Sequence, residues 1–227
     1  MVGRSAPRPI RHRPRGAHLS GGPSGARAVG GCDTVGTAAL LVHAPDPAPR
    51  SGKEDRGVRL VILDLDLTLW DHRNVSGLAL PFRRVSADAV EDQHGVRVTL
   101  FPGVHSLLNG LRERNLIVAC ASWNDPEPVD EIFDLLALGE FFDHRKVEPH
   151  PHKERLVAAL LQSLRAAGQD LAPSEILYVD DRRIHLDGIY AAVGQIRFLQ
   201  FGVDIRRPDE VLAFLDRPRD AAHAPRQ

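Results

Sequence analysis

The feature that most constrains this chain is a set of short, almost unbroken apolar runs separated by amphipathic stretches. Val58-Arg59-Leu60-Val61-Ile62-Leu63, Leu116-Ile117-Val118-Ala119-Cys120-Ala121 and Ile176-Leu177-Tyr178-Val179 are apolar at nearly every position. Strands with one wet face alternate apolar and polar residues, so continuous runs of this length predict strands buried on both faces, as in a parallel sheet covered by helices. Gln195 to Phe201 reads as a further strand. Between the runs, Val104, Leu107, Leu108 and Leu111 sit at i, i+3, i+4 and i+7 behind Pro102-Gly103. Val129, Ile132, Phe133 and Leu136 repeat that spacing after Pro126, and Leu156, Val157, Leu160, Leu161 and Leu164 precede Gly168. Each set makes one apolar helix face, so three crossover helices are predicted, with a last helix from about Asp209 to Leu215. The expected fold is α/β: a three-layer, doubly wound parallel sheet spanning residues 56–217.

The flanks have another composition. Arg4, Arg8, Arg11, Arg13 and Arg15 alternate with Pro7, Pro9 and Pro14, and Gly21, Gly22, Gly25, Gly30 and Gly31 follow. Such a stretch offers little apolar surface against a backbone ordering cost of about 1–2 kcal/mol per residue, so residues 1–55 are expected to be a disordered leader and 218–227 a disordered tail. The 29 Lys and Arg residues balance 30 Asp and Glu residues, which leaves no basic footprint for a nucleic-acid partner. Two cysteines, Cys32 and Cys120, cannot frame a disulfide scaffold. No apolar stretch approaches the ~20 residues of a membrane span, so a soluble cytoplasmic protein is expected. The sequence sets no oligomeric state.

In open parallel sheets ligands sit beyond the carboxyl ends of the strands, and four such places here are chemically loaded. The first run ends in Asp64-Leu65-Asp66-Leu67-Thr68-Leu69-Trp70. A turn after Asp64 can aim both carboxylates at one ligand, and acids so close need a cation between them or a shared proton. The second ends in Ser122-Trp123-Asn124-Asp125-Pro126, where a hydroxyl and the free N–H groups of a helix start make an anion site, with Asn124 or Asp125 as the cap. Lys153 opens the next helix after His150-Pro151-His152, a position where the helix dipole disfavours a cation unless an anion is close. The last loaded end is Asp180-Asp181-Arg182-Arg183. Adjacent side chains diverge on a strand, so Asp180 is expected to touch a metal directly and Asp181 to orient ligands or water.

An acid pair, a hydroxyl, a lysine and a second acid pair, in this order, resemble the haloacid dehalogenase superfamily from Val58 to Asp216. Asp64 to Trp70, Leu100-Phe101-Pro102-Gly103-Val104, Ala121-Ser122-Trp123-Asn124-Asp125 and Val147-Glu148-Pro149-His150-Pro151 are similar to its magnesium-dependent phosphatases, particularly the archaeal-type branch. The resemblance implies that Asp64, near the centre of the sheet, attacks phosphorus and forms an aspartyl-phosphate, and that Asp66 acts as acid and base. It also implies Mg2+ held by Asp64, the backbone carbonyl of Asp66 and Asp180, phosphate oxygens held by Ser122, Trp123 and Lys153, and Asp181 behind them. Leu67 stands where many members of the superfamily have a small or polar residue, and after Asp181 the chain offers His185 and Asp187 rather than a clear Asn or Asp at the usual offset.

Many members of the superfamily close the site with an inserted cap domain, and this chain has little room for one. The alternating Val96-Arg97-Val98-Thr99-Leu100 after the Gln93-His94-Gly95 turn predicts a small β-flap, and only a short strand around Phe141 and Phe142 is expected before Lys153. An open site suits a phosphorylated small molecule, such as a sugar phosphate, or a phosphotyrosine peptide, with Arg83, Arg84, Arg182 and Arg183 as candidate contacts. Trp70 and Trp123 flank the site, Trp70 as packing at the rim and Trp123 as packing or as a candidate stacking platform. His72, His105, His144, His150, His152 and His185 lack the spacing of a zinc site, and the oxygen-rich acids favour magnesium. Rival readings are a glyceryl-transferring, phosphatase-like domain working with a carrier protein, a receiver-type phospho-acceptor domain, and a scaffold without catalysis.

Overall fold

A computed structural model describes residues 57–217 of the chain, so the expectations for a leader at 1–55 and a tail at 218–227 lie outside the described residues. The main sheet holds five parallel strands: β1 (Leu60–Leu63), β5 (Ile117–Trp123), β6 (His144–Glu148), β7 (Ile176–Asp180) and β8 (Arg197–Gln200). Their spatial order is β6-β5-β1-β7-β8. From β1 the chain winds outward to one edge and then returns to wind to the other. The carboxyl end of β1 is therefore the topological switch point, where open α/β sheets leave a crevice.

Helices α1 (Val104–Glu113), α2 (Pro126–Leu135), α3 (Lys153–Ala166), α4 (Leu186–Val193) and α5 (Glu210–Leu215) cover both faces. Alternate residues of each buried strand feed two separate cores, as the pleat requires. Val61, Leu63, Val118, Cys120, Leu177 and Val179 pack with the apolar faces of α1 and α2 and with Val211 of α5. Leu60, Ile62, Ala119, Ala121, Ile176 and Tyr178 pack with Leu156, Val157, Leu160 and Leu164 of α3 and Ile189 of α4. This is the expected three-layer arrangement. Gly110 lets α5 approach α1: a Cβ there would meet Leu212 Cδ1 at 2.5 Å.

The predicted flap is a separate antiparallel sheet of β2 (Arg83–Arg84), β3 (Ala89–Glu91) and β4 (Arg97–Thr99), in the order β2-β3-β4. It is tied to the loop after β1: Asp71 N–H donates to Thr99 O at 2.9 Å, Thr99 N–H donates to Asp71 Oδ1 at 2.7 Å, and Phe101 N–H donates to Leu69 O at 2.8 Å. The chain inserts no large cap after β1 or β5.

Two expectations need correction. The strand expected around Phe141 and Phe142 is a short 3₁₀ turn, Gly139–Phe141, and the strand lies further on, at β6. β6 forms one edge of the sheet and is only half-buried, so its sequence, His-Arg-Lys-Val-Glu, lacks the apolar run that marks the inner strands. Helix α4 has no counterpart among the expected helices because it buries only Leu186 and Ile189, too few positions to show a period. Among the described residues, no helix is long and apolar enough to cross a membrane.

Candidate active site

The carboxyl end of β1 leads into a tight loop. Thr68, Leu69 and Trp70 all donate backbone N–H groups to Leu65 O, at 3.1, 2.8 and 3.4 Å, and Leu67 adopts a left-handed φ of 54°. For a branched side chain that conformation costs about 1–2 kcal/mol, so the turn is held against local preference by its surroundings. The turn carries the chain from Asp64 through Asp66, and both are buried, at 2 % and 7 % exposure.

Three carboxylates and one ammonium meet at the switch point. Lys153 Nζ lies 2.8 Å from Asp64 Oδ1 and 2.6 Å from Asp180 Oδ2, with all three side chains almost fully buried. Lys153 is the first residue of α3, where a lone cation is unfavourable, and the two acids supply the compensating charge. Asp180 also accepts hydrogen bonds from Tyr178 Oη and, at 2.8 Å, from Arg182 N–H. Asp181 lies closer than expected: one ligand oxygen from each of Asp64, Asp180 and Asp181 falls within 4.8 Å of the others. The adjacent acids do not diverge because β7 ends at Asp180 and the chain turns there, so Asp181 is free of the pleat.

Electrostatics follows from this crowding. Burial pushes the Asp64 carboxyl up to about 7; the Lys153 ammonium opposes that rise and the Asp180 charge adds to it. Burial also acts to raise Asp180, but Lys153 and the hydrogen bonds from Tyr178 and Arg182 overcome it and hold Asp180 below the ordinary carboxylate range. Burial works against the charged Lys153, yet the two acids together keep its pKa above normal. Asp181 is raised, first by burial and then by Asp180.

Asp66 sits outside this cluster in a net of its own. Its Oδ1 accepts from Trp70 Nε1 at 2.7 Å and its Oδ2 from Asn124 Nδ2 at 2.9 Å. Burial raises its pKa, and these two hydrogen bonds partly offset the rise. Asn124 Nδ2 also lies 3.1 Å from Ser122 Oγ, and Asn124 Oδ1 accepts from Ser76 Oγ at 2.6 Å. Ser76 belongs to a 3₁₀ turn, Val75–Gly77, and accepts from Asp125 N–H at 2.7 Å. Asn124 is thus no helix cap. Asp125 holds the cap position of α2, but its side chain makes no capping bond, with Pro126 following as expected. Trp70 is fully buried rather than at a rim, packing edge-on against Phe133 with ring centroids 6.3 Å apart.

Ser122 is buried at the end of β5, whereas the Trp123 side chain is 44 % exposed and lines a cleft with Asp66. The four candidate arginines separate clearly. Arg83 pairs with Glu91, Arg84 bonds Ser86 O, and Arg183 stacks over Phe198, while Arg182 lines the cleft. His150 pairs with Glu148 and His152 with Glu154, in the segment that leads into Lys153. His185, at the start of α4, keeps a buried Nε2 with no hydrogen-bond partner among the described residues, and burial lowers its pKa.

The residues fit a hard divalent cation. The donor set is entirely carboxylate oxygen, as Mg2+ requires, and Asp181 Oδ1 is buried without a hydrogen-bond partner among the described residues. Because Asp64 titrates near 7, ligation below that pH must displace its proton. We expect Mg2+ affinity to rise about tenfold per pH unit from pH 5 to 7 and to level off above. Calorimetry in buffers of different ionisation enthalpy, read alongside the Kd, should show about one proton released at pH 6 and almost none at pH 8.

No individually curated protein matches the sequence. Solved structures of similar fold include the magnesium-bound putative haloacid dehalogenase hydrolase YfnB of Bacillus subtilis, 12% identical, with a TM-score of 0.52 over 71% of this chain and 100% of that one. A subfamily IA hydrolase of the superfamily from Geobacter sulfurreducens is 16% identical, with a TM-score of 0.49 over 70% of this chain and 100% of that one. One from Ehrlichia chaffeensis is 14% identical, with a TM-score of 0.49 over 70% of this chain and 97% of that one. The family described as Acid Phosphatase matches residues 57–188, more than half of the chain and all four loaded strand ends. With acids, hydroxyl and lysine brought to one switch point, and with the fold of a haloacid dehalogenase hydrolase, the chain belongs to this acid phosphatase family.

Proposed function

We propose that the protein is a Mg2+-dependent phosphomonoester hydrolase that works through an aspartyl-phosphate on Asp64. The observation that carries this reading is the buried convergence of Asp64, Lys153 and Asp180, with Asp66, two residues after Asp64, held separately by Trp70 and Asn124. Asp64 Oδ attacks phosphorus while the P–O bond to the leaving group breaks, and Asp66 delivers a proton to the departing oxygen. Its raised pKa supports that task, since an acid must hold its proton until the transition state. In the second half-reaction Asp66 takes a proton from the water that attacks the phosphorus of the acyl phosphate. Phosphate is released and Asp64 is restored.

Lys153 and Ser122 hold the phosphoryl oxygens, where transition-state charge is spread, and the backbone at Trp123 opens the same anion site. When the phosphoryl group enters, Lys153 moves part of its hydrogen bonding from Asp64 and Asp180 to phosphate oxygen. Asp64, Asp180, the carbonyl of Asp66 and, from its position, Asp181 would hold the metal. When bound, Mg2+ offsets the repulsion between the Asp64 carboxylate and a dianionic substrate. The open surround, flap without cap, supports a phosphorylated small molecule or a phosphotyrosine-bearing peptide as substrate.

The test is phosphate release from 4-nitrophenyl phosphate with Mg2+ and after EDTA treatment. Turnover that needs Mg2+ and returns on its readdition is expected. Absence of turnover with Mg2+ would overturn the reading, and a stable aspartyl-phosphate without turnover would favour a phospho-acceptor domain instead.

A further inference from the structure

We propose that the leaving group of the substrate carries a negative charge of its own, a carboxylate or a second phosphate, read by Arg73 and Arg182. The inference rests on the phosphatase function proposed above and names its substrate class. Beside the reacting carboxylates lies a cleft of about 310 Å³ whose wall includes Asp66, Arg73, Trp123, Asp125 and Arg182, but not Asp64, Lys153 or Asp180. Asp66 is the residue that protonates the departing oxygen. Of the reacting groups only Asp66 lines this cleft, so the leaving group is placed there.

The wall carries two acids, Asp66 and Asp125, and two arginines, Arg73 and Arg182, and among the described residues neither arginine is ion-paired to either of those acids. Both oxygens of Asp66 already accept hydrogen bonds, from Trp70 and Asn124. Asp125 is the other acid, and its backbone is held by Ser76. Arg73 is exposed and has no ion pair among the described residues. Arg182 has Asp181 alone, at 3.5 Å and through Nε, which leaves the two terminal nitrogens of its guanidinium for a ligand. The contrast with other arginines in the fold is plain: Arg83 and Arg97 share Glu91, Arg114 grips Asp216, and Arg207 grips Asp209. The guanidinium of Arg73 and the terminal nitrogens of Arg182, in a cleft walled by the half-exposed Trp123, make a subsite for a planar or ring-shaped group bearing an anion.

The experiment compares kcat/KM, at saturating Mg2+, for three esters of one shape: 4-carbamoylphenyl phosphate, 4-carboxyphenyl phosphate and 1,4-phenylene bisphosphate. The neutral amide is isosteric with the carboxylate. We expect at least one anionic ester to be preferred about tenfold, mainly through KM, with the preference eroding as salt is raised. Which anion gains more tells a carboxylate subsite from a phosphate subsite. Arg73→Gln and Arg182→Gln, both at exposed positions, should each lower the preference about threefold, and the double variant should remove it. Equal kcat/KM for all three esters, or a preference intact in the double variant, would overturn the inference while leaving the phosphatase function standing. Failure to hydrolyse any ester, 4-nitrophenyl phosphate included, would overturn both.

Discussion

Asp64→Asn should reduce phosphate release by about 10⁴-fold or more while the protein still unfolds cooperatively. An amide has no anionic oxygen with which to form the acyl phosphate, and neither Asp180 nor Asp66 can take its place. Asp180 is held by Lys153, Tyr178 and the Arg182 N–H, and Asp66 is held by Trp70 and Asn124. The fold should survive for a related reason. The substitution is nearly isosteric, the carbonyl of the new amide can still accept from Lys153, and the change relieves the repulsion that Asp180 exerts on the buried Asp64. Circular dichroism melts would register the retained fold. Mass spectrometry of acid-quenched enzyme should find a phosphorylated species in the parent protein and none in the variant. Substantial turnover by Asp64→Asn would remove Asp64 as the nucleophile.

What the sequence reveals and what it hides divide along physical lines. Asp64, Ser122 and Asp180 are legible because each ends an apolar run, and Lys153 because a cation at a helix start asks for an anion. The inner strands β1, β5 and β7 are legible because they are buried on both faces, whereas β6 at the edge and the short helix α4 carry no comparable period. The support around Asp66 is hidden for a different reason. Asn124 before Asp125-Pro126 looks like a helix cap, because a short polar side chain there is what a helix start uses. Its actual partner, Asp66, is 58 residues away in the chain, and only the tertiary fold decides which it serves. Trp70 looks like packing and is packing, against Phe133, but its indole N–H points to Asp66. A buried Trp four residues after an acid is the one local signal that could have suggested this bond, since a buried indole N–H needs an acceptor. Asp181 lies nearer Asp64 and Asp180 than strand alternation predicts, because β7 ends at Asp180 and the chain turns there.

Lys153→Met should be the most destabilising single substitution at the site in metal-free protein. The side chain fits the space, so the effect is electrostatic: it leaves Asp64 and Asp180 buried and facing each other with no cation between them. Removing one partner of a buried ion pair typically costs about 3–5 kcal/mol, which in a domain of this size corresponds to a fall in Tm of about 10 °C. Protonation of one acid relieves part of the cost, and that fixes the pH dependence. Asp64 is already raised to about 7 in the parent protein, first by burial, so its folded form holds a proton that the unfolded chain has lost. Stability from this group is therefore complete below the ordinary carboxylate pKa and declines as pH rises towards 7. Without Lys153 the folded pKa moves higher still, so the decline continues further and the gap between variant and parent should be wider at pH 8 than at pH 6. Mg2+ should narrow that gap, because without Lys153 the cation alone neutralises the acid pair and binds the variant more tightly than the parent. Binding to the folded state stabilises it by about 2.7 kcal/mol at a hundred times the Kd. Thermal melts of parent and variant at pH 6 and 8, with EDTA and with Mg2+, give the four differences required. A variant as stable as the parent at pH 8 without metal would mean that Lys153 does not neutralise the acid pair, and the electrostatic basis of the site would have to be redrawn.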